Sequence, residues 1–139
     1  MVVAVGLAAL AGCGDDGNET EAVDGVSVEV LLDAAGETVL GQPISYPGGD
    51  AQVTMSVVTL GPGESTVNHI HEAPMAAYIL EGEVTVDYGD EGTYTFGEGD
   101  ALLEALDVVH EGTNTGSRPV RILVVNMGSD EVENTVTVE

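Results

Sequence analysis

The sequence has very little positive charge. Lysine is absent from its 139 residues, and Arg118 and Arg121 are the only cations against 25 Asp and Glu, so the formal net charge is −23. Binding to nucleic acid through its phosphates requires a basic surface, and so does electrostatic docking on anionic lipid, which excludes both classes of protein. Tryptophan is also absent, and four tyrosines with one phenylalanine are too few to build a base-stacking platform.

Cysteine is nearly absent as well. The single Cys13 excludes an intrachain disulfide, so the fold depends on its core. Hydrophobic residues make up 43% of the chain, which is too many for a disordered acidic protein, and the length favours one domain. Charge of this size destabilises a compact state unless salt screens it, and in molar salt the screening length falls to about 3 Å. The composition resembles that of halophilic proteins; an acidic secreted protein that binds divalent cations diffusely is the alternative.

The N-terminal segment carries no charge over residues 1–12. It is too short to cross a bilayer, which takes about 20 residues, but fits the apolar region of a signal peptide. The sequence Leu10-Ala11-Gly12-Cys13 resembles the lipobox of prokaryotic lipoproteins, which implies a lipid on the Cys13 thiol. We therefore predict a signal segment at 1–13, a solvated acidic tether at 14–25 and an anchor on the extracellular side of the cell membrane, with simple secretion as the fallback. A terminal strand or helix packed on the core, with Cys13 buried, is the alternative.

The rest of the chain is typical of a β protein. Its 22 valines, 12 threonines and 19 glycines form short strand-like runs between Gly, Pro and Asp turns, which predicts an all-β sandwich or barrel. A hairpin is expected around Gly89-Asp90-Glu91-Gly92. The predicted strands are Val26–Leu32, Ala51–Leu60, Val67–His71, Ala76–Leu80, Glu83–Tyr88, Gly92–Phe96, Ala101–Ala105, Val108–Thr113, Val120–Met127 and Thr135–Val138.

The histidines suggest chemistry. The chain contains three, His69, His71 and His110. Residues two apart on a strand face the same side, so the first two imidazoles project together. Neutral imidazole is the commonest metal ligand, and a third from a neighbouring strand would leave open positions on the ion. A barrel lined by hydrogen-bonded histidines without metal is the alternative.

The spacing around these histidines resembles the two motifs of the cupin superfamily. The first, G-x5-H-x-H-x3,4-E-x6-G, is matched by Gly63, His69, His71 and Gly82; the second, G-x5-P-x-G-x2-H-x3-N, is matched by Gly99, His110 and Asn114. The resemblance implies a single small cupin barrel, a jelly roll of two antiparallel sheets over 26–127, with 128–139 as a C-terminal edge strand or tail. It also implies a divalent Fe, Mn, Ni, Cu or Zn ion held by the three histidines.

Three motif positions differ. Ala105 and Asp107 stand where the second motif has proline and glycine, and Met75 stands where the first has the glutamate that usually binds the metal. Met75 is interpreted as core filler, with a copper-binding thioether as the alternative. Glu104 could supply the missing carboxylate by facing inward to orient a histidine, bind the metal or act as a catalytic base. A glutamate on the rim or facing outward is the alternative.

Two functions remain open. The intact histidine set favours a metal-dependent small-molecule enzyme of the dioxygenase kind, while Met75 favours a non-catalytic module that binds a metal or small ligand at the cell surface. We expect a small-molecule partner, membrane contact only through the lipid anchor, and a homodimer whose association depends on salt.

Overall fold

The computed structural model describes residues 20–139, so the predicted signal segment and residues 14–19 of the tether lie outside the described residues. Within the described part all regular secondary structure is strand except for one 3-10 turn at Gly89–Glu91, and there is no α-helix. Consequently, no helix there has the length and hydropathy to cross a membrane.

An N-terminal hairpin forms a compact unit of its own, which ends at Val30. Strand β1 (Thr20–Val23) pairs antiparallel with β2 (Val26–Glu29). The turn between them, Asp24-Gly25, has φ values of 49° and 84°, the left-handed geometry that suits a two-residue hairpin. Strand β2 begins at Val26, where the predicted strand Val26–Leu32 begins, and its partner β1 completes a two-stranded sheet.

The second unit, Leu31–Glu139, contains a four-stranded antiparallel sheet in the order β3-β10-β5-β8. The strands are β3 (Ala51–Leu60), β10 (Val120–Ser129), β5 (Met75–Glu81) and β8 (Ala101–Leu103). Strand β3 pairs with β10 along its whole length, from Leu60↔Val120 to Ala51↔Ser129, and is the edge of the sheet.

The facing strands are shorter. Strand β6 (Glu83–Asp87) pairs with β7 (Thr93–Gly97), which confirms the predicted hairpin, and with β9 (Glu111–Thr113) on its other side. Strand β4 (His69–Ile70) pairs with β11 (Val136–Thr137) from the C-terminal tail. Isolated bridges between His69 and His110 and between Ser65 and Thr113 connect these two sets of strands.

The core lies between the two groups of strands. Alternate residues of β6, Val84 and Val86, are buried with Ile79 and Val120 from the four-stranded sheet. Met75 is buried in a second apolar cluster whose other buried members are Ala77, Leu102 and Val124, as expected for core filler. The predicted antiparallel all-β architecture is confirmed.

Two left-handed backbone positions explain features of the motifs. Gly82 has φ of 78°, and a Cβ there would lie 2.6 Å from the Pro119 carbonyl oxygen, so only glycine fits between the strands. Asp107, in the glycine position of the second motif, has φ of 54°. Aspartate enters this region more readily than most residues, so the turn keeps its shape despite the substitution.

Candidate metal centre

Strand pairing brings the three histidines together. The backbone N–H of His69 donates to the His110 carbonyl at 3.1 Å, and the N–H of His110 donates to the His69 carbonyl at 3.0 Å. Their ring centroids are 4.3 Å apart, and the His71 ring lies 4.9 Å from His69 and 5.1 Å from His110. One ligand atom from each ring lies within 4.8 Å of the others, so the three are close enough to converge on one metal ion.

Each imidazole is oriented by a backbone carbonyl. The Nδ1 atom lies 2.7 Å from the Val67 oxygen in His69, 2.8 Å from the Asn134 oxygen in His71 and 2.9 Å from the Val108 oxygen in His110. Because a carbonyl oxygen only accepts, each Nδ1 carries the proton, which leaves Nε2 with a free lone pair. A backbone carbonyl at the second ring nitrogen is the usual arrangement for a metal-binding histidine, so the donor set fits a transition-metal ion.

Burial favours the neutral form of His69 and His71. Desolvation lowers the pKa of His71 from 6.5 to about 4, although its hydrogen bond to Asn134 acts in the opposite direction. Desolvation also lowers the pKa of His69, opposed by the Val67 hydrogen bond. Neutral imidazole is the form that binds metal, so both ligands are in the binding form at neutral pH.

Glu104 is buried beside the histidines. Its Oε1 atom accepts hydrogen bonds from the Tyr88 hydroxyl at 2.6 Å and from the Ala105 N–H at 2.7 Å. Its Oε2 atom lies 4.0 Å from Nε2 of His110. Oε2 of Glu104 and Nε2 of His110 both carry lone pairs, so a cation or a proton between the two atoms would stabilise this arrangement. The inward orientation of Glu104 is therefore found, and the outward alternative is wrong.

Tyr88 fixes this carboxylate. Burial first, and then the negative charge of Glu104, raise the pKa of Tyr88 far above its ordinary value of 10.0. The phenol therefore stays protonated at neutral pH and donates to Glu104. Because Oε1 already accepts two hydrogen bonds, Oε2 is the carboxylate oxygen with free lone pairs, and it is the one that lies beside His110.

Glu104 also lies directly opposite the motif position that lacks its glutamate. The backbone N–H of Glu104 donates to the Met75 carbonyl at 2.9 Å, which extends the pairing of β8 with β5. Opposed residues on antiparallel strands share a face, and both side chains line the same cavity. Glu72, next to His71 in sequence, is exposed and accepts the Glu133 N–H at 2.9 Å.

The cavity at the histidines has a volume of about 290 Å³. Most of its lining is apolar, from Val58, Leu60, Met75, Ala77, Ile79, Val84, Val86, Phe96, Leu102, Ile122 and Val124. Arg118 and Arg121 are exposed, and neither lines it.

Sequence reasoning missed three contributors to this site. Tyr88 shares the inward phase of Val84 and Val86, which is a signal the sequence contained. Asn126 shares the phase of Val124 on β10 in the same way, and it lines the cavity. Asn134 acts through its backbone carbonyl, for which no side-chain pattern exists.

Asn114, the last residue of the second motif, has a structural role. Its side chain is 1% exposed and donates to the carbonyls of Leu60 at 2.9 Å and Arg118 at 2.8 Å. Its Oδ1 accepts the Gly116 N–H at 2.9 Å, so the side chain holds the turn between β9 and β10.

Comparison with solved structures supports the fold. The polyketide cyclase RemF from Streptomyces resistomycificus is 26% identical with a TM-score of 0.54, over 66% of this chain and 63% of that one. The DMSP lyase DddQ from Ruegeria pomeroyi is 26% identical with a TM-score of 0.53, over 70% and 47%. The oxalate decarboxylase of Lactobacillus farciminis is 20% identical with a TM-score of 0.54, over 62% and 26%. The chain thus matches less than two thirds of each.

Comparison with curated protein sequences found no match. A family profile described as the cupin domain matches residues 56–126, about half of the chain, and this range includes all three histidines. Together with the antiparallel β architecture and the histidine cluster, this match shows that the chain belongs to the cupin domain family.

Proposed function

We propose that this protein is a metal-dependent enzyme that acts on a small organic molecule, with the ion held by His69, His71 and His110. The observation that carries the proposal is the convergence of three imidazoles whose Nδ1 atoms are all hydrogen-bonded to carbonyls, in the wall of a cavity large enough for a substrate. A redox-active ion bound there would supply Lewis acidity and a site for dioxygen. The neutral ligand set suits Fe, Mn, Ni, Cu or Zn.

Glu104 gives the site its negative charge. We assign to it the role that the glutamate of the first motif usually has, because it lies across from Met75 and its Oε2 faces His110. The carboxylate would balance the charge of a divalent ion and accept a proton from the substrate at Oε2. Tyr88 and the Ala105 N–H keep Oε1 in place, so the accepting atom is preorganised.

Two of the solved structures that match at 26% identity are named as a polyketide cyclase and a DMSP lyase. These names support the proposal that this protein is an enzyme that acts on a small molecule. They belong to different reaction classes, so the oxygen-dependent reaction rests on the open three-histidine site itself.

Metal analysis of protein purified without chelator tests the proposal. We expect about one transition-metal ion per chain, and a loss of at least 100-fold in affinity in His71→Gln, measured by titration with Fe(II), Mn(II), Ni(II), Cu(II) and Zn(II). Oxygen uptake would then be measured against diketones, phenols and thiols. Failure to bind any of these ions at micromolar concentration would contradict the proposal.

A second candidate is a non-catalytic module that stores a metal or ligand at the cell surface. Met75 in the glutamate position favours it, since the motif's own anionic ligand is missing. One bound ion with no turnover of any substrate would establish this alternative. Cys13 lies outside the described residues, so the lipid anchor stays a prediction, tested by comparing the membrane fraction of the wild type with Cys13→Ser.

A further inference from the structure

The cavity offers no positively charged side chain to a substrate. The two arginines of the chain are exposed elsewhere, and lysine is absent. An anionic substrate would lose its hydration on entry and meet an apolar wall together with the carboxylate of Glu104. A bound metal ion would be the only group that attracts the anionic substrate, and the carboxylate of Glu104 already balances part of the charge of that ion. The lining therefore disfavours dicarboxylates, phosphates and other anions.

The wall nevertheless contains one unpartnered polar group. Asn126 is 7% exposed, and its Oδ1 atom is buried with no hydrogen-bond partner. A buried amide oxygen without a partner is unfavourable, and a bound molecule can recover that cost by supplying the missing hydrogen bond.

Asn126 is positioned on the cavity wall by its strand. It lies two residues after Val124 on β10, on the same face, and pairs with Met75 across to β5. Both neighbours line the cavity with it. The amide is thus one of a few polar groups in a predominantly apolar surface, which is the usual way in which a pocket fixes the orientation of an apolar ligand.

The size of the cavity limits the ligand. An apolar cavity of about 150 Å³ accommodates benzene. The cavity here, at about 290 Å³, is roughly twice as large and therefore suits a molecule of about two fused rings.

We infer that the substrate of the proposed enzyme is a neutral, predominantly apolar molecule of about two-ring size with a hydroxyl group that hydrogen-bonds to the Asn126 amide. The inference rests on the proposed function only in taking this cavity as the substrate site. A hydroxyl suits the amide because it can donate to Oδ1 and accept from Nδ2.

Three probes of equal shape test this inference in metal-free protein: 2-naphthol, 2-methylnaphthalene and 2-naphthoate, with binding followed by calorimetry. The methyl group replaces the hydroxyl at similar size, and the carboxylate adds a charge. We expect 2-naphthol to bind more tightly than 2-methylnaphthalene, and 2-naphthoate to bind at least ten times more weakly than 2-naphthol. Tightest binding by 2-naphthoate, or no binding by any probe, would overturn the inference.

The variant Asn126→Leu tests the residue itself. It removes the amide at similar volume, so we expect the preference for 2-naphthol over 2-methylnaphthalene to fall about tenfold while 2-methylnaphthalene binds as before. A preference that survives the substitution would overturn the role of Asn126. If the variant fails to fold, the order of the three probes on the wild type still decides the inference. Because the probes are measured without metal, absent metal binding would defeat the proposed function and leave this result standing.

Discussion

Glu104→Gln is the substitution that tests the centre most directly. Glutamine has nearly the same shape as glutamate, and its amide oxygen can still accept the Tyr88 and Ala105 hydrogen bonds at Oε1. What the substitution removes is the negative charge beside the histidines, with the lone pairs of Oε2 replaced by N–H donors. We therefore expect the folded structure to survive and the affinity for a divalent ion to fall.

The magnitude follows from the distance between Oε2 and Nε2 of His110. Oε2 lies 4.0 Å from this ligand atom. Two unit charges about 4 Å apart in a partly buried environment interact by about 4 kcal/mol, which sets the upper scale for attraction between the carboxylate and an ion bound by the histidines. Desolvation of the carboxylate offsets part of this energy. Loss of a polar group that supports metal ligands typically lowers affinity by about 10- to 100-fold, or about 1.4–2.7 kcal/mol, and we expect Glu104→Gln to fall in that range.

The measurement is a competition titration with a chromophoric chelator, in which Zn(II) and Mn(II) affinities are compared between the wild type and the variant. Glu98→Gln is the matched control, because it makes the same change of charge in the exposed turn between β7 and β8. It should bind metal like the wild type. The double variant Met75→Glu with Glu104→Gln moves the carboxylate back to the motif position and should restore part of the affinity.

The reasoning is refuted if Glu104→Gln binds both ions within twofold of Glu98→Gln. That result would mean that the carboxylate acts only on folding or substrate binding. Urea unfolding distinguishes an effect on stability from an effect on the metal centre, because a loss of affinity in a variant of unchanged stability must arise at the centre.

Three further predictions concern stability and assembly. Gly82→Ala should lower the free energy of unfolding by about 2 kcal/mol more than Gly63→Ala. Both glycines have φ of 78°, but only at Gly82 would the added Cβ meet a backbone atom. Equal losses of stability in urea unfolding would contradict this clash. The free energy of unfolding of metal-free protein should fall by about 3 kcal/mol as the pH is lowered from 6.5 to 4. Over this range the unfolded chain binds a proton at His71 that the folded chain does not bind, because folding lowers the pKa of His71 to about 4. A His71→Gln variant whose stability depends on pH in the same way would contradict this. Met55 is 67% exposed on edge strand β3 and should lie in a homodimer interface. In molar salt, light scattering should find dimers of the wild type and monomers of Met55→Glu. Dimers of both proteins would refute this prediction.

Much of the fold could be predicted because its signals are local. Strand β3 has the bounds that the sequence predicted, Ala51–Leu60, and the β6–β7 hairpin lies around its glycine-rich turn. The histidine cluster could be predicted because alternation along a strand fixes the side that His69 and His71 face. The β1–β2 hairpin was missed because acidic composition was given more weight than the Asp24-Gly25 turn signal.

The supports of the site were harder to predict, because they depend on contacts between distant segments. Glu104 is two residues after Leu102, so alternation puts both on one face, but alternation does not say whether the carboxylate has a partner that can keep it buried. That partner is Tyr88, 16 residues earlier. The carbonyl that holds His71 belongs to Asn134, 63 residues later, and a backbone atom leaves no trace in the sequence of side chains.

This last contact has a consequence for biosynthesis. A ribosome makes His69, His71 and His110 well before it makes Asn134, yet the imidazole of His71 acquires its orienting carbonyl only when residue 134 has emerged and β11 has paired with β4. A nascent chain therefore presents an incompletely oriented set of ligands to any metal it meets. The three ligands are therefore fully oriented only after β11 has paired with β4.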